Sequence, residues 1–370
     1  MANAYLALDL MHLEHRVQRL QRQVERREWR NSRDPFSLHD DEFIDLFRLS
    51  PDAARDLVDS LTLSLERQQP YGLSAETQVL TALRFYATGS YQGAVGEEWE
   101  LGVSQPSVSR CVRAVTRSIN ELLLRQWVYF PMTAEERYSA VQKFRDARQP
   151  FPGTLGAIDC TYLKIIAPKE YEEAYVNHWG DHTLNVQAIC DPDLKILNIN
   201  ARYPGARHDA YVWSNSAARR AMERNFTYGE RNTWLIGDDG YALEPWLMTP
   251  LKNEIRGTPR FQYNEELCAA GSVVERLFRV LKGEFRCLSQ QRQLMYDPVM
   301  SGMIANACAV LHNMRIAHRL DNAVDAVEEQ GRIHRVNEEP LLGEEENANQ
   351  RRAVAQRIQQ SLITRHYGRH

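Results

Sequence analysis

The chain has 370 residues, of which 43% are hydrophobic and 25% are charged, the composition of a globular protein with a buried core. Its formal net charge of −4 excludes a uniformly basic chain, so a nucleic-acid partner must bind to local basic patches. The cysteines form no C-x-x-C pair, which favours a reducing, intracellular compartment without disulfides. We see no signal peptide and no apolar run long enough to span a bilayer, and expect no membrane partner.

Residues 1–149 read as an all-helical region. Leu13, Val17, Leu20 and Val24 recur at helical spacing, with arginines between them. Ser50-Pro51 and Ser74 have the residue types that begin helices, as cap and first-turn proline.

A helix-turn-helix is predicted near residues 92–124, with a turn at Gly102. On its second helix Val108, Val112 and Val115 form the inward stripe, and a basic stripe faces away from it. That basic stripe consists of Arg110, Arg113 and Arg117. We expect it to contact DNA, although a solvated helix face gives the same pattern.

The character of the chain changes at Pro150-Phe-Pro-Gly153, which predicts a domain over residues 150–320. Strand-like runs precede a helix over Asp209–Asn225, a strand that ends before Gly237-Asp238-Asp239-Gly240, and later helices. The predicted strands are Leu155–Ile166, Leu184–Cys190, Lys195–Ala201 and Thr233–Ile236. This order fits an α/β layer fold of the RNase-H-like kind.

Residues 321–370 are predicted to be an acidic spacer followed by an arginine-bearing tail. Its composition indicates partial disorder until about Gln350. The segment from Arg351 onward has no acidic residue, and it could be a docking element or a solvated terminus.

Three carboxylates of the second domain are candidates for catalysis, and each has an ordinary structural alternative. Asp159 lies in an apolar strand, where it needs a partner or metal unless it is on a wet strand face. Asp238 follows a strand, where ligand groups gather, but Asp238 and its competitor Asp239 are also turn residues. Glu275 could complete a capping box with Ser272 or pair with Arg279.

Taken together, the three carboxylates can converge on one site. Converged carboxylates repel unless cations hold them, and carboxylate oxygens favour Mg²⁺ or Mn²⁺. Two such ions activate a water or a hydroxyl and stabilise the leaving oxygen of a phosphodiester.

With these residues in view, the chain resembles the Harbinger (PIF/Harbinger) transposases and the nucleases derived from them, from about Ser74 to His312. The resemblance is a series of weak motifs in the same order. They include Gly102-Val-Ser-Gln-Pro-Ser, Gly156-Ala-Ile-Asp-Cys-Thr, Asn185-Val-Gln-Ala-Ile-Cys-Asp, Tyr203-Pro-Gly-Ala-Arg-His-Asp, Leu235-Ile-Gly-Asp-Asp-Gly-Tyr, Val274-Glu-Arg-Leu-Phe and Leu311-His-Asn.

The resemblance implies an RNase-H-like DDE nuclease core preceded by a helix-turn-helix, with its catalytic triad on Asp159, Asp238 and Glu275. It implies Asp209 as a fourth metal ligand beside the triad, although Asp209 could equally be the N-cap of its helix. The chain departs from the family at Asp239, where a small residue is usual, and at Asn177-His-Trp-Gly180, where an Asn-Arg-Lys-Gly run is usual. The loss of those cations puts DNA contact by this loop in doubt.

The leading functional hypothesis is a divalent-metal-dependent DNA endonuclease or transposase, with Mg²⁺ or Mn²⁺ as two ions at the triad. The alternatives are a domesticated DNA-binding or adaptor protein that no longer cuts, and an RNase-H-like enzyme acting on RNA. We expect double-stranded DNA and a further copy of the chain as partners. The family resemblance also implies a Myb/SANT-like DNA-binding partner and a nuclear location, with the cytoplasm as a second location.

Overall fold

The computed structural model describes residues 11–368, apart from 12, 15, 19, 22, 23, 29–31, 33, 67–71, 98–100 and 321–344. The chain divides into two compact units, Met1–Ser118 and Ile119–His370. No helix in these described ranges is long and apolar enough to cross a membrane.

The first unit is helical, as predicted. A 3₁₀ turn (Pro35–Ser37) precedes α1 (Asp40–Phe47), α2 (Pro51–Leu65), α3 (Ala75–Thr88), α4 (Gln92–Glu97) and α5 (Gln105–Ser118). The predicted caps are confirmed, because Ser50 Oγ accepts the Ala53 amide at 3.2 Å and Ser74 Oγ accepts the Thr77 amide at 3.1 Å. Both side chains satisfy amides that the first turn of a helix leaves without partners.

The helix α5 has the stripe pattern that its sequence predicts. Val108, Val112 and Val115 are fully buried. Arg110 and Arg117 are exposed, and Arg113 is half-buried. Near the N-terminus the described residues of 11–28 are helical, but Leu13, Val17, Leu20 and Val24 are each at least half exposed.

The second unit contains a five-stranded mixed sheet between layers of helices. Its helices are a π turn (Ile119–Leu123), α6 (Leu124–Trp127), α7 (Ala134–Arg145), α8 (Glu172–Tyr175), α9 (Asp209–Ser214), α10 (Ala217–Thr227), α11 (Pro259–Glu284), a 3₁₀ turn (Arg286–Leu288), α12 (Pro298–Ala317) and α13 (Glu345–Tyr367). Its strands are β1 (Thr154–Lys164), β2 (Thr183–Cys190), β3 (Ile196–Pro204), β4 (Trp234–Ile236) and β5 (Leu247–Met248).

The strand order is β3-β2-β1-β4-β5, with β1, β2 and β3 antiparallel and with β4 parallel to both β1 and β5. This confirms the predicted mixed α/β class and the β2–β3 hairpin. Asp191 forms the turn of that hairpin, because its Oδ1 accepts the amides of Asp193 and Lys195, each at 2.9 Å.

Both faces of the sheet are covered. On one face Ile158, Ile189 and Leu235 pack with Trp213 of α9 and Met222 of α10. On the other, α11 contacts β1 and β2, and α12 contacts β3. The strand β2 is buried along its whole length, as expected for a strand covered on both faces.

The two units divide at Ser118, whereas the sequence indicated a domain boundary at 149–150. The difference arises because α7 contacts β1, and its Ala140 and Val141 pack against the core of the sheet. A helix before a breaker cluster can therefore belong to the domain that follows it.

The C-terminal tail is folded against the second unit, so the predicted docking element or solvated terminus is wrong for its described part. Gln359 Nε2 donates to the Thr249 carbonyl and to the Tyr263 hydroxyl, each at 3.0 Å. Leu362, Ile363 and Tyr367 are buried, and α13 contacts α11. The predicted disorder of the acidic spacer falls on residues 321–344, which lie outside the described residues.

Candidate active site

A cleft of about 640 Å³ lies where β1, the end of β4 and the middle of α11 meet. Four carboxylates line it: Asp159, Asp238, Asp239 and Glu275. All three members of the predicted triad therefore open onto one cavity, although they are widely separated in the sequence.

The sheet register brings the two aspartates together. The parallel pair Ala157–Ile236 aligns β1 with β4, and Asp159 and Asp238 each lie two residues beyond it. Strand alternation points Asp159 away from Ile158, hence toward the face that α11 covers. Asp159 is 2% exposed. It lies inside the central strand, which fixes the position of its backbone.

Asp238 and Asp239 differ in how they are held. Asp238 is half-buried, and its Oδ1 accepts the Gly240 amide at 3.1 Å, a local turn bond. Asp239 is exposed. The fixed orientation of Asp238 favours it as the second member of the triad.

Glu275 reaches the cleft from the interior of a long helix. The helix α11 begins at the Thr258 cap, whose Oγ1 accepts the Phe261 amide at 3.2 Å, and not at Ser272 as the sequence suggested. Ser272 Oγ instead donates to the Ala269 carbonyl at 2.7 Å within the helix. The capping-box explanation for Glu275 is therefore wrong, and the glutamate is exposed on the cleft side.

The face of α11 toward the cleft is lined by Cys268, Gly271 and Glu275, at helical spacing. A β-carbon at Gly271 would have no neighbour within 4 Å, so this position faces the open space of the cleft. Burial raises the pKa of the Cys268 thiol, and the negative charges of Asp239, Glu275 and Asp238 raise it further.

Asp209 lies beside this site and does not line the cleft. It is the first residue of α9, after His208 at the cap position, so it is not an N-cap. The predicted helix Asp209–Asn225 is in fact two helices, because Ser216 caps α10 by accepting the Arg219 amide at 3.0 Å. Asp209 is 3% exposed, and its Oδ1 accepts a hydrogen bond from Asn185 Nδ2 at 2.9 Å.

Gly240 separates Asp209 from Asp238. A β-carbon there would lie 3.1 Å from Asp238 Oδ1 and 3.8 Å from Asp209 Oδ2, so glycine preserves the space between the two carboxylates. Asn185 holds Asp209 and also donates to the Arg207 carbonyl at 2.8 Å. No separate role for Asn185 is predicted from the sequence, where its only signal is its place in a shared motif.

The donors in this region are almost all carboxylate oxygens, which suits a hard divalent cation. Among the described residues, however, no three His, Cys, Asp or Glu side chains stand close enough together to hold a metal ion. The donor chemistry of the site fits Mg²⁺ or Mn²⁺.

The final motif of the resemblance has a structural role. Asn313 Oδ1 accepts the Ile196 amide at 2.9 Å, and its Nδ2 donates to the carbonyls of Ile196 and Trp127. His312 is fully buried, and burial lowers its pKa to about 4. Both residues anchor α12 to the edge of the sheet.

Comparison with known proteins identifies the relatives of this chain. Residues 158–313 match the DDE superfamily endonuclease domain. The chain is 36% identical to "Putative nuclease HARBI1" of Rattus norvegicus and to that of Homo sapiens, in each case over 84% of this chain and 86% of the relative. It is 25% identical to "Protein ALP1-like" of Arabidopsis thaliana, over 66% of this chain and 61% of that protein.

No solved structure matches the chain. The similarity to the HARBI1 proteins spans most of both chains, and the endonuclease match covers Asp159, Asp238 and Glu275. The chain belongs to the Harbinger transposase-derived nuclease family of the DDE superfamily.

Proposed function

We propose that this protein is a divalent-metal-dependent DNA endonuclease whose catalytic residues are Asp159, Asp238 and Glu275. The observation that carries the proposal is the single cleft that these carboxylates share, at the end of β4 and against α11. The strand order and directions support an RNase-H-like core, and the endonuclease match supports the activity.

The metal ligands in this proposal are Asp159, Asp238 and Glu275, with Asp209 beside them. When bound, Mg²⁺ or Mn²⁺, as two ions, would activate a water or a 3′-hydroxyl and stabilise the leaving oxygen.

The three proposed catalytic residues differ in their burial and in how they are held. Asp159 is buried in the central strand, Asp238 is oriented by its turn bond, and Glu275 is an exposed side chain on a helix. Lys252 also lines the cleft and is exposed, so its ammonium can meet a phosphate at the entrance.

The direct test is incubation of the full chain with labelled duplex DNA, single-stranded DNA and RNA, with Mg²⁺ or with a chelator. Cleavage of DNA that needs the cation supports the proposal. Cleavage confined to RNA would identify the RNase-H-like alternative instead.

A silent DNA-binding or adaptor protein of the same fold is the second candidate. Such a protein would bind DNA but not cut it, with Mg²⁺ or with Mn²⁺, across a range of substrates. Cation-dependent cutting would exclude this candidate.

We also propose that α4 and α5 form the DNA-binding helix-turn-helix of the first unit, through Arg110, Arg113 and Arg117. We expect a triple alanine variant to bind DNA more weakly and with a smaller salt dependence, by about one unit of slope for each lost phosphate contact. Arg55→Ala is the control, since Asp52 holds that guanidinium at 3.1 Å. Unchanged affinity and slope in the triple variant would remove this surface from the interface.

We further propose that two copies of the chain pair with each other. The exposed Leu13, Val17, Leu20 and Val24 stripe supports pairing with a second copy, because it follows the four-three spacing of a coiled coil. Leu20→Glu should then convert an oligomer to a monomer in sedimentation.

A Myb/SANT-like partner and a nuclear location are proposed on the family alone. Expression without that partner should leave the protein poorly imported and unable to select a terminal DNA sequence. Efficient import with specific binding by the chain alone would refute this.

A further inference from the structure

An exposed tryptophan stands on a tightly bonded loop at the carboxyl end of β1. We name residues 176–182 the tryptophan loop. Trp179 is 55% exposed, although its ring contacts His178, with ring centroids 3.8 Å apart, and Tyr162, with centroids 5.4 Å apart. Tyr162 belongs to β1, the strand that also carries Asp159.

The loop is held by its own backbone and by a buried asparagine. Asn177 is 5% exposed, and its Oδ1 accepts the amides of Trp179 at 2.9 Å and Asp181 at 3.0 Å. Gly180 has a φ of +83°, which side chains other than glycine rarely adopt. Lys164 on β1 pairs with Asp181 at 2.9 Å, which ties the loop to the sheet.

A rigid, half-exposed indole is suited to binding because little conformational entropy is lost when a ligand covers it. The ring supplies a flat apolar face that no other residue of the loop offers. Nucleotide bases stack on such faces whatever their sequence.

The surroundings of the loop suit a nucleic acid. Asp181 is neutralised by Lys164, and His182 contacts Glu172 at 2.8 Å. Across the sheet, Tyr162 aligns with Asn185 and Asn185 with Tyr203, so the two tyrosines share one face. Arg207 is exposed beside this face, with its guanidinium 4.7 Å from the centre of the Tyr211 ring.

The position of the loop relative to the cleft selects an unpaired strand over a duplex. β1 and β4 are parallel, so the carboxyl end of β1 lies at the same edge of the sheet as Asp238. Tyr162 lies three residues beyond Asp159, roughly 10 Å along the strand, a distance that about three stacked nucleotides span.

Residues 159 and 162 point to opposite faces of the sheet, because side chains alternate along a strand. DNA that reaches both must turn around the end of β1. A duplex resists such a bend over a few base pairs, whereas a single strand does not.

We propose that Trp179, supported by Tyr162 and His178, stacks on the base of an unpaired nucleotide about three nucleotides from the bond that the cleft cuts. This inference rests on the proposed nuclease function, and it specifies the substrate as DNA with an unpaired segment.

The test measures binding without cutting. Fluorescence anisotropy, in chelator, compares a blunt labelled duplex with the same duplex carrying an oligothymidine tail. We expect the parent to prefer the tailed DNA, and Trp179→Ala to lose about 5- to 150-fold in affinity for it, the effect of one lost base stack. Affinity for the blunt duplex should not change, and Trp179→Phe should retain most of the preference.

Tyr228→Ala is the matched control, since Tyr228 is an 83% exposed aromatic on the loop after α10. The proposal would be overturned if Trp179→Ala lost affinity equally for both DNAs, or lost affinity for neither. Tighter binding of a basic peptide than of tailed DNA by the parent would also overturn it. The binding assay contains chelator, so its outcome does not depend on cleavage. A Trp179-dependent preference for tailed DNA, in a protein that cuts no DNA with Mg²⁺ or Mn²⁺, would exclude the nuclease function and support the stacking site. Cutting by the parent without any such preference would do the reverse.

Discussion

Asp159→Asn, Asp238→Asn and Glu275→Gln should each reduce DNA cleavage by more than about 100-fold. Loss of a residue that only orients a metal ligand already costs about 10- to 100-fold, and loss of the ligand itself should cost more. Each substitution keeps the size of the side chain and removes the charge that attracts a divalent cation. Cleavage rates in Mg²⁺ and in Mn²⁺ measure the effect, and DNA binding in chelator should stay close to that of the parent.

Asp239→Asn is the matched control, because Asp239 lines the same cleft and neighbours Asp238. It should keep most of the cleavage rate. Loss of activity in Asp239→Asn with retention in Asp238→Asn would reverse the assignment of the second catalytic aspartate.

Stability separates catalysis from structure at Glu275. The residue is exposed within a helix that begins well before it, so Glu275→Gln should change the free energy of unfolding by less than about 0.5 kcal/mol. A larger loss would show that Glu275 has a structural role, such as an ion pair with Arg279.

Cys268 provides a second measure of cation binding. Five of the six cysteines are buried and Cys268 is exposed, so a small uncharged alkylating reagent reacts mainly there. A cation at the carboxylates would offset the negative charges that raise the pKa of this thiol, and would change its alkylation rate. The change should disappear in Asp238→Asn.

Local signals make Asp159 and Asp238 candidates for the site, because one lies inside an apolar run and the other lies between a strand and a glycine turn. Each signal also has a structural alternative, and it is the family resemblance that implies the set of three. Their meeting in one cleft depends on the parallel pairing of β1 and β4, which joins segments far apart in the chain. A single sequence contains no signal for that pairing.

The starts of the helices near the site are harder to predict, because other residues nearby also have the types and spacing of helix caps. Ser272 and Glu275 have the spacing of a capping box, but the true start is the Thr258-Pro259 pair, an equally recognisable signal. Likewise Ser216 interrupts the helix predicted from Asp209. In both cases the true cap residue is present in the sequence, and another residue of a capping type was taken in its place.

The tail was misjudged because its composition is that of a solvated segment. Only a narrow stripe of α13 is apolar, with Ala355, Leu362, Ile363 and Tyr367 buried against the rest of the second unit. These positions recur at helical spacing. The mean hydropathy of the whole segment does not reveal an apolar stripe that covers only one side of a helix.

Leu362→Ala should destabilise the second unit by about 2–5 kcal/mol, the range for removal of a buried leucine side chain. Leu362 is 6% exposed on α13, and the cavity that the substitution leaves lies among residues that hold this helix in place. Arg365→Ala, at an exposed position one turn later, should change stability by less than about 0.5 kcal/mol. Chemical unfolding followed by circular dichroism measures both.

The same substitution should lower DNA cleavage, because α13 supports one wall of the cleft. Gln359 holds the Thr249 carbonyl, and the next residues, Pro250 to Asn253, line the cleft. Asn264 of α11 fixes that segment from its other side, bonding the amide and the carbonyl of Leu251, each at 2.8 Å. We therefore expect Leu362→Ala to lose cleavage at temperatures where circular dichroism still shows the sheet folded. Parental cleavage rates under those conditions would mean that α13 contributes to stability alone and has no part in shaping the cleft.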